Sequence, residues 1–538
     1  MEQANNLYFP FRCCPFQLFT YLFSKSLNNW ANFFYLMAPI KDSKSFTIST
    51  QHQDNSTKDT KGLTAKKEGD FSEWYTQLLQ KAELIDYSPV SGCYILRPNA
   101  YYIWEKVQQY FDALIKADGV KNAYFPLFIP ESLLTKEKKH VAGFAPEVAW
   151  VETGGNSKLP ERLAVRPTSE TIIYDSYAKW IRSYKDLPLR LNQWCNVVRW
   201  EFKHPIPLLR SREFLWQEGH TVFAHKQDAV EEAHKIVGFY HQLFRELYAL
   251  PVLAGRKAES EKFAGADFTL SVEAILPNGK AAQGATSHHL GQNFSKAFGI
   301  SFLDEKQQQQ FGWQNSWGIS TRSIGLMTMV HSDNKGLVLP PRVASVQVVI
   351  VPIIFDDSKE KVLKEATMLA GKLQAAGLSV YLDDRDGYTP GWKYNEWEMK
   401  GVPLRIEIGP KDVEKKQAMV VRRDTGEKKP QALTSLEKEI PVLLEKIQHD
   451  LYSKAEQWLR EHTAVVSSLA EAQQQLDQQK VVLAGWCATA ACEDNFKEKT
   501  GGAKSLNAPL DQPSLKKGQR CFACSKPVQS WFYFSKSY

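Results

Sequence analysis

Both common phosphate cradles are missing from this chain. No segment fits GxxxxGK[ST] and no GxGxxG opens a helix, so a nucleotide would not be held by a glycine-rich loop of backbone N–H groups. Cysteine is scarce, with eight in 538 residues. Apart from a group near the C-terminus they are scattered, which excludes a secreted disulfide framework and favours a reducing compartment. No apolar run is long enough to span a bilayer, and no internal repeat is visible. Acidic residues are absent between Glu2 and Asp42, where LYFPFRCCPFQLFTYLF (7–23) is aromatic and apolar. A mitochondrial transit segment shares that lack, but it carries more arginine and a clearer amphipathic helix. The reading preferred is a poorly ordered extension, or a start site misplaced upstream of Met37, on a cytoplasmic protein. The net charge of +7 tilts the chain only mildly toward polyanionic partners.

What is present divides the chain into an extension and linker (1–70), a large mixed unit (71–343), a small α/β unit (344–452) and a cysteine-bearing tail (453–538). Helical periodicity begins at 71–84, and YYIWEKVQQYFDALIKA (101–117) is an amphipathic helix ended by Gly119. An apolar strand broken by Pro126 and Pro130 follows over 123–130. LAVRPTSE (163–170) runs from strand into a helix that Thr168 or Ser169 can cap. A long helix is expected over 226–248, a Gly- and polar-rich stretch over 281–294, and a turn into a buried helix over 316–330. VQVVIVPI (346–353) opens a β-α-β alternation that closes near 450. One further helix, 453–480, would lead into the tail.

The stretch NQWCNVVRWEFKHPIPLLRSREFLWQEGHT (192–221) carries most of the chemistry. In VVRWEF, strand alternation sends Val198, Trp200 and Phe202 one way and Arg199 and Glu201 the other. The HPIP loop cannot continue a ladder. In the next run Arg210, Arg212, Phe214, Trp216 and Glu218 share one parity, so a single regular strand would line one face with cations and flat rings. Guanidinium forks hold phosphates or carboxylates, and aromatic faces stack on a planar ring. The plainer alternative is a solvated hairpin face of weak cross-strand ion pairs.

These pieces together resemble the three signature motifs of the class II aminoacyl-tRNA synthetases, and more narrowly the prolyl-tRNA synthetases of the eukaryotic/archaeal-like type. The element around Gly119 and Pro126 resembles motif 1, a dimer interface. RWE (199–201) with RSREF (210–214) resembles motif 2, and SWGISTRSIG (316–325) motif 3. RPTSE (166–170), FLWQEGHT (214–221), QGATSHHLGQNF (283–294) and GLVLPPRVASVQVVIVP (336–352) are more specific to the prolyl family. The resemblance covers 71–538. It implies an α+β multidomain protein: a class II antiparallel-sheet catalytic core, an α/β anticodon-binding domain and a small zinc-bearing C-terminal domain. It also implies a homodimer that uses ATP and Mg2+ to attach L-proline to tRNA(Pro) for protein biosynthesis, through a prolyl-adenylate.

Under that resemblance Arg199 touches both the amino-acid carboxylate and the α-phosphate, Arg210 and Arg322 hold the outer phosphates, and adenine stacks on Phe214. Gln283, Thr286 and Ser320 reach ATP, although the family is expected to carry threonine at 320. Thr168 and Glu170 meet the proline amine, and Trp216, Phe263 and His288 wall its ring. The plainer alternatives are an ion pair for Arg199, a surface or capping role for Arg322, a helix-dipole complement for Glu170, and a core or surface histidine for His288. Trp397, Lys400 and Arg405 are the candidate anticodon contacts, against a core tryptophan and surface charges. Cys487-x4-Cys492 with Cys521-x2-Cys524 has the spacing of a structural Zn2+ site and receives no catalytic role. Tyr538, at the end of WFYFSKSY, is a candidate to approach the active site, as in some relatives. A threonyl enzyme and a non-catalytic paralogue are the competing readings. The first would need a Cys/His zinc site in its pocket, and the second would have lost Arg199, Arg210 or Arg322. An editing insertion between motifs 2 and 3 has no room.

Overall fold

The computed structural model describes residues 62–140, 147–201 and 203–538. The expectations for residues 1–61 and for Phe202 lie outside the described residues. The central sheet runs in the order Lys121–Asn122, Leu189–Val198, Glu213–Phe223, Trp313–Ser320 and Lys280–Gly291, with Phe268–Ile275 and Leu253–Arg256 beyond. From 189–198 through to 253–256 every pairing is antiparallel. Helices Pro98–Ala117 and Lys226–Glu246 pack behind it. Ile103, Trp104, Val107, Phe111 and Ile115 recur at the helical period and are buried. Gly119, at φ +88°, turns the chain off the helix end.

Phe111 stacks on Tyr240, ring centroids 4.8 Å apart, and meets Trp317 edge-on. Trp317 lies opposite Gly219 in the strand pair, and a Cβ at 219 would fall 2.2 Å from the indole. Gly219→Ala is expected to cost about 3 kcal/mol by overpacking, read as a lower urea midpoint with an unchanged slope.

Several elements depart from the sequence expectations. The 189–198 strand stops at Val198, so Arg199–Glu201 form a turn rather than continuing the alternation. Strand 213–223 begins only at Glu213; before it, the amides of Leu209 and Arg210 both bond back to the Ile206 carbonyl. Of 123–130 only Phe128–Pro130 is strand. The Gly- and polar-rich 281–294 stretch is the long strand 280–291, of which Gln283, Thr286 and His288 face a cavity. Of the turn into a buried helix expected over 316–330, the helix is present as Arg322–His331, and strand 313–320 stands in place of the turn. Residues 62–70 are not a free linker: Leu63 and Ala65 pack on the core, and Lys67 Nζ donates to the Val330 and Ser332 carbonyls at 3.1 and 2.7 Å. A lysine thus satisfies the end of the 322–331 helix.

The α/β unit is a five-stranded sheet in the order 380–382, 348–352, 404–408, 417–422, 428–432, flanked by helices 359–375, 390–399 and 436–461. Helix Leu436–Glu461 runs through residue 452. The single helix expected over 453–480 is instead the end of that helix, strand Thr463–Val466 and helix Leu469–Asp477. The β-branched Thr463, Val465 and Val466 favour strand, and Ser468 restarts the helix by accepting from the Glu471 amide. Strand Ser530–Ser537 then pairs with 481–486 and, in parallel, with Lys280–Ala281. The tail is thereby sewn into the central sheet.

Candidate active site

Strand 213–223 places Phe214, Trp216, Glu218 and His220 along one face, as the alternation predicts from residue 214 onward. Arg210 and Arg212 precede the strand and do not follow that parity. Arg212 instead lays its guanidinium 4.7 Å from the Trp200 ring and bonds to the Ser91 carbonyl.

On the neighbouring strand, pairing with 268–275 slips between Val272 and Glu273, so that Val272 opposes Ala285 and Glu273 opposes Gln283. Gly284 is the extra residue of a β-bulge, and the parity of the strand changes there. Gln283, Thr286 and His288 therefore reach the same cavity. A Cβ at 284 would lie 2.6 Å from the Phe244 ring, which accounts for glycine. Along its other edge, strand 280–291 pairs with 530–537 as far as Ala281 and with 313–320 from Ala285. Among the described residues, 282–284 have no ladder partner on that edge, and Arg322 Nη1 lies 3.4 Å from the Gln283 carbonyl there.

A cavity of about 300 Å³ opens over this face. Of the residues singled out for ATP and proline, all except Arg210 line it: Thr168, Glu170, Arg199, Phe214, Trp216, Phe263, Gln283, Thr286, His288, Ser320 and Arg322. Arg210 lines an adjoining cavity of about 160 Å³, with Arg322, Gln283 and Glu261 shared between the two. Tyr538 and Ser537 close that second cavity, and the Tyr538 amide bonds to the Ala281 carbonyl.

Arg199 sits between the two ends of the larger cavity. Its Nε donates to the Pro167 carbonyl at 2.9 Å, and its guanidinium lies 5.6 and 5.3 Å from the Phe214 and Trp216 rings. Arg322 Nε donates to the Leu209 carbonyl at 3.0 Å. Burial, and then the Arg199 and Arg210 charges, push the Arg322 guanidinium down to about 10 against the pull of Glu273. It stays cationic at neutral pH, and the cluster of like charges favours an incoming anion. At the opposite end the Thr168 hydroxyl bonds Glu170, and Phe263 packs on His288 with centroids 4.6 Å apart. His288 Nδ1 lies 2.9 Å from Thr269 Oγ1. Burial pushes the imidazole down to about 3, so it is a neutral wall. Ser169 caps no amide with its side chain; its hydroxyl donates to Glu218 at 2.5 Å.

Beneath that end lies a buried ion pair. Glu218 Oε2 is 3.0 Å from His220 Nε2, with both side chains at most 3% exposed. Gln193 donates to Glu218 at 2.9 Å, and Tyr174 Oη lies 3.1 Å from His220 Nδ1. Burial raises the Glu218 carboxyl, but the hydrogen bond and charge of His220 outweigh it and hold the group below its ordinary value. Burial correspondingly lowers the His220 imidazole, and Glu218 outweighs that, so the imidazolium is favoured.

Three family models match the chain: tRNA synthetase class II core domain (G, H, P, S and T) over residues 150–331, Anticodon binding domain over 347–443, and Prolyl-tRNA synthetase, C-terminal over 469–538. The cytoplasmic proline--tRNA ligase of Arabidopsis thaliana is 52% identical over 483 residues, 89% of this chain and 91% of that protein. The chain belongs to the prolyl-tRNA synthetase family. Proline--tRNA ligase 2 of Clostridioides difficile is 50% identical, covering 88% of this chain and 97% of its own. The crystal structure of prolyl-tRNA synthetase from Cryptosporidium parvum complexed with halofuginone and AMPPNP superposes with a TM-score of 0.86 at 49% identity. That match covers 89% of this chain and the whole of the other.

In this prolyl-tRNA synthetase chain the sulfurs of Cys487, Cys492, Cys521 and Cys524 all lie within 4.8 Å of one another. Cys487 and Cys524 are 3.5 Å apart, and Cys492 and Cys521 3.8 Å. Thiolates about 2.3 Å from a tetrahedral zinc sit about 3.8 Å from each other, so the cluster fits the ion. The expected anticodon contacts are engaged within the fold. Trp397 is buried, its Nε1 donating to Asp383 at 2.8 Å. Lys400 pairs with Glu396 and Glu83, and Arg405 with Glu407. Their interleaving of bases and rings builds an internal network, and Phe355, Tyr381 and Tyr388 are the exposed rings of that unit. The sequence reading placed Glu218 on the cavity face and gave no part to His220, Glu261 or Thr269. The alternation of 214–220 pointed to His220; nothing local pointed to Glu261 or Thr269.

Proposed function

We propose that the chain attaches L-proline to tRNA(Pro) in two steps. A proline carboxylate oxygen attacks the α-phosphorus of ATP, the bond to the β-phosphate bridging oxygen breaks, and diphosphate leaves. The 3′-terminal ribose hydroxyl of the tRNA then attacks the prolyl carbonyl carbon. AMP departs, with the adenylate's own phosphate taking the hydroxyl proton. The observation that carries this reading is the single cavity in which an apolar, carboxylate-bearing end meets an arginine-lined end, with Arg199 between them.

Glu170 and Thr168 suit a secondary ammonium, and Phe263, Trp216 and His288 suit an apolar ring without polar atoms. Phe214 offers a stacking face for adenine, with Gln283, Thr286 and Ser320 beside it as polar contacts for the nucleotide. Arg322 and, from the adjoining cavity, Arg210 would take the outer phosphates. Mg2+ carried by those phosphates would neutralise part of their charge. The AMPPNP named with the Cryptosporidium relative supports the use of a nucleotide by this chain.

We assign 71–343 as the catalytic unit, 344–452 as the anticodon-binding unit and 453–538 as a zinc-bearing unit. Zn2+ on the four cysteines would tie Cys487 and the start of helix 490–499 to the turn at 521–524 and take part in no chemical step. Metal analysis should find one zinc per chain, lost in Cys487→Ser. A homodimer is supported by the exposed rings of Tyr124, Phe128 and Trp180 beside the motif 1 element. A cytoplasmic location is supported by the name of the Arabidopsis relative. The deciding experiment is ATP–pyrophosphate exchange. Exchange should require proline and ignore threonine, and exchange that runs without proline would overturn the reading.

A further inference from the structure

The loop between strands 253–256 and 268–275 carries Phe263, whose amide bonds to Thr269 Oγ1 at 3.0 Å and whose ring packs on His288. Its outer side is gripped by the tail. Glu261 pairs with Lys504 at 2.5 Å and with Lys497 at 3.4 Å. Ser260 donates to Glu493, a fully buried carboxylate that also accepts from the Ser505 amide and hydroxyl at 3.1 and 2.7 Å. Glu493 and Lys497 stand on helix Ala490–Lys499, the helix that carries Cys492. Strand Ala508–Pro509 pairs with 253–256, at the base of the same loop. Burial raises the Glu261 carboxyl, but Lys504, Lys257 and Lys497 together outweigh it, so the group is held ionised.

Glu261 also lines both cavities. A carboxylate there, at the edge of the arginine cluster, would be drawn toward Arg322 and Arg210 if nothing held it outward. Lys504 and Lys497 supply that counter-pull, and the Ser260–Glu493 bond fixes the residue before it. The loop thus has one face against the cavity and the other against the tail, with Phe263 two residues from the gripped Glu261.

We infer that residues 490–504 are an outer clamp for the 257–267 loop, and that Glu261 and Lys504 are positioning residues for the Phe263 wall of the proline end. The inference rests on the active-site reading above and adds to it a function for the tail beyond metal binding. It makes proline affinity the quantity the clamp on Phe263 controls, beside the direct reach of Lys504 into the cavity that holds Arg210.

The test uses full-length wild type, Lys504→Met, Glu261→Gln, the double variant and Lys504→Arg, in exchange assays with proline and ATP titrated separately. Each neutralising single should raise KM for proline about tenfold and change KM for ATP by less, although Glu261 and Lys504 also line the cavity that holds Arg210. The double should be no worse than the poorer single, because the two act through one contact, and Lys504→Arg should keep most of the affinity. Hydrogen exchange gives an arm independent of activity. Amides of 258–266 should exchange about tenfold faster in Lys504→Met while those of 226–246 stay protected. Multiplying effects in the double variant, equal changes in both KM values, or unaltered exchange over 258–266 would each overturn the clamp. If the wild type shows no proline-dependent exchange, the active-site reading fails, and the hydrogen-exchange arm still decides the clamp.

Discussion

Arg199→Ala should reduce proline-dependent ATP–pyrophosphate exchange by about three orders of magnitude, the scale of losing a preorganised charge at a developing oxyanion. The reason is positional. Arg199 stands where the carboxylate-bearing end of the cavity meets the arginine-lined end, its Nε fixed on the Pro167 carbonyl next to Thr168 and its guanidinium beside Phe214 and Trp216. Two anions must approach in line, and repulsion between them grows as the α-phosphorus becomes five-coordinate. One fork can contact both and lower that repulsion without moving. Lysine offers a point charge in place of two parallel donors, so Arg199→Lys should recover little. Titrating both substrates separates the possibilities. A loss confined to KM at unchanged kcat would reduce Arg199 to a binding contact and remove it from the chemical step.

Glu218→Gln should cost about 3 kcal/mol of stability, because removing one partner leaves a buried imidazolium without its counter-charge. The pH dependence has a definite sign. The Glu218 carboxyl is held below its ordinary 4.5, so its contribution is present above that value and lost as pH falls through the folded value. The His220 imidazole is held above its ordinary 6.5, so its contribution is present below that value and lost as pH rises through the folded one. The pair therefore stabilises most between about pH 4.5 and 6.5. Urea unfolding of wild type and of the Glu218→Gln/His220→Gln double variant should differ most in that window. A difference that is flat from pH 4 to 8 would show the pair to be neutral and merely hydrogen-bonded.

Part of the candidate site was legible in short-range rules, and most of the rest only through resemblance. Phe214, Trp216, Glu218 and His220 follow strand alternation, and that alone gathers them on one face. Arg210 shows where the rule stops: its backbone belongs to a turn closed on Ile206, and it reaches the arginine-lined end from the adjoining cavity. Gln283 was reached only through resemblance, since the bulge at Gly284 reverses its parity relative to Thr286 and depends on the pairing partner. Glu261 and Thr269 were invisible because their partners, Lys504 and His288, are fixed by tertiary contact. Trp397, Lys400 and Arg405 carry the right chemistry for RNA, and within the fold they meet Asp383, Glu396 and Glu407, partners that the local pattern did not announce. Local pattern reports side-chain type and facing; it does not report which charges are already neutralised.

Ser535 bonds to the Gly279 carbonyl across a separation of 256 residues, beside the register that lays Ser537 along Ala281. During synthesis, the strand that shelters this edge of the catalytic sheet emerges long after its neighbours have paired. A nascent chain halted after the α/β unit would present an unpaired β-edge at Lys280–Ala281 next to a half-built pocket, a template for contact with other chains. Stalled ribosomes carrying this message should accordingly recruit holdase chaperones until the tail is made.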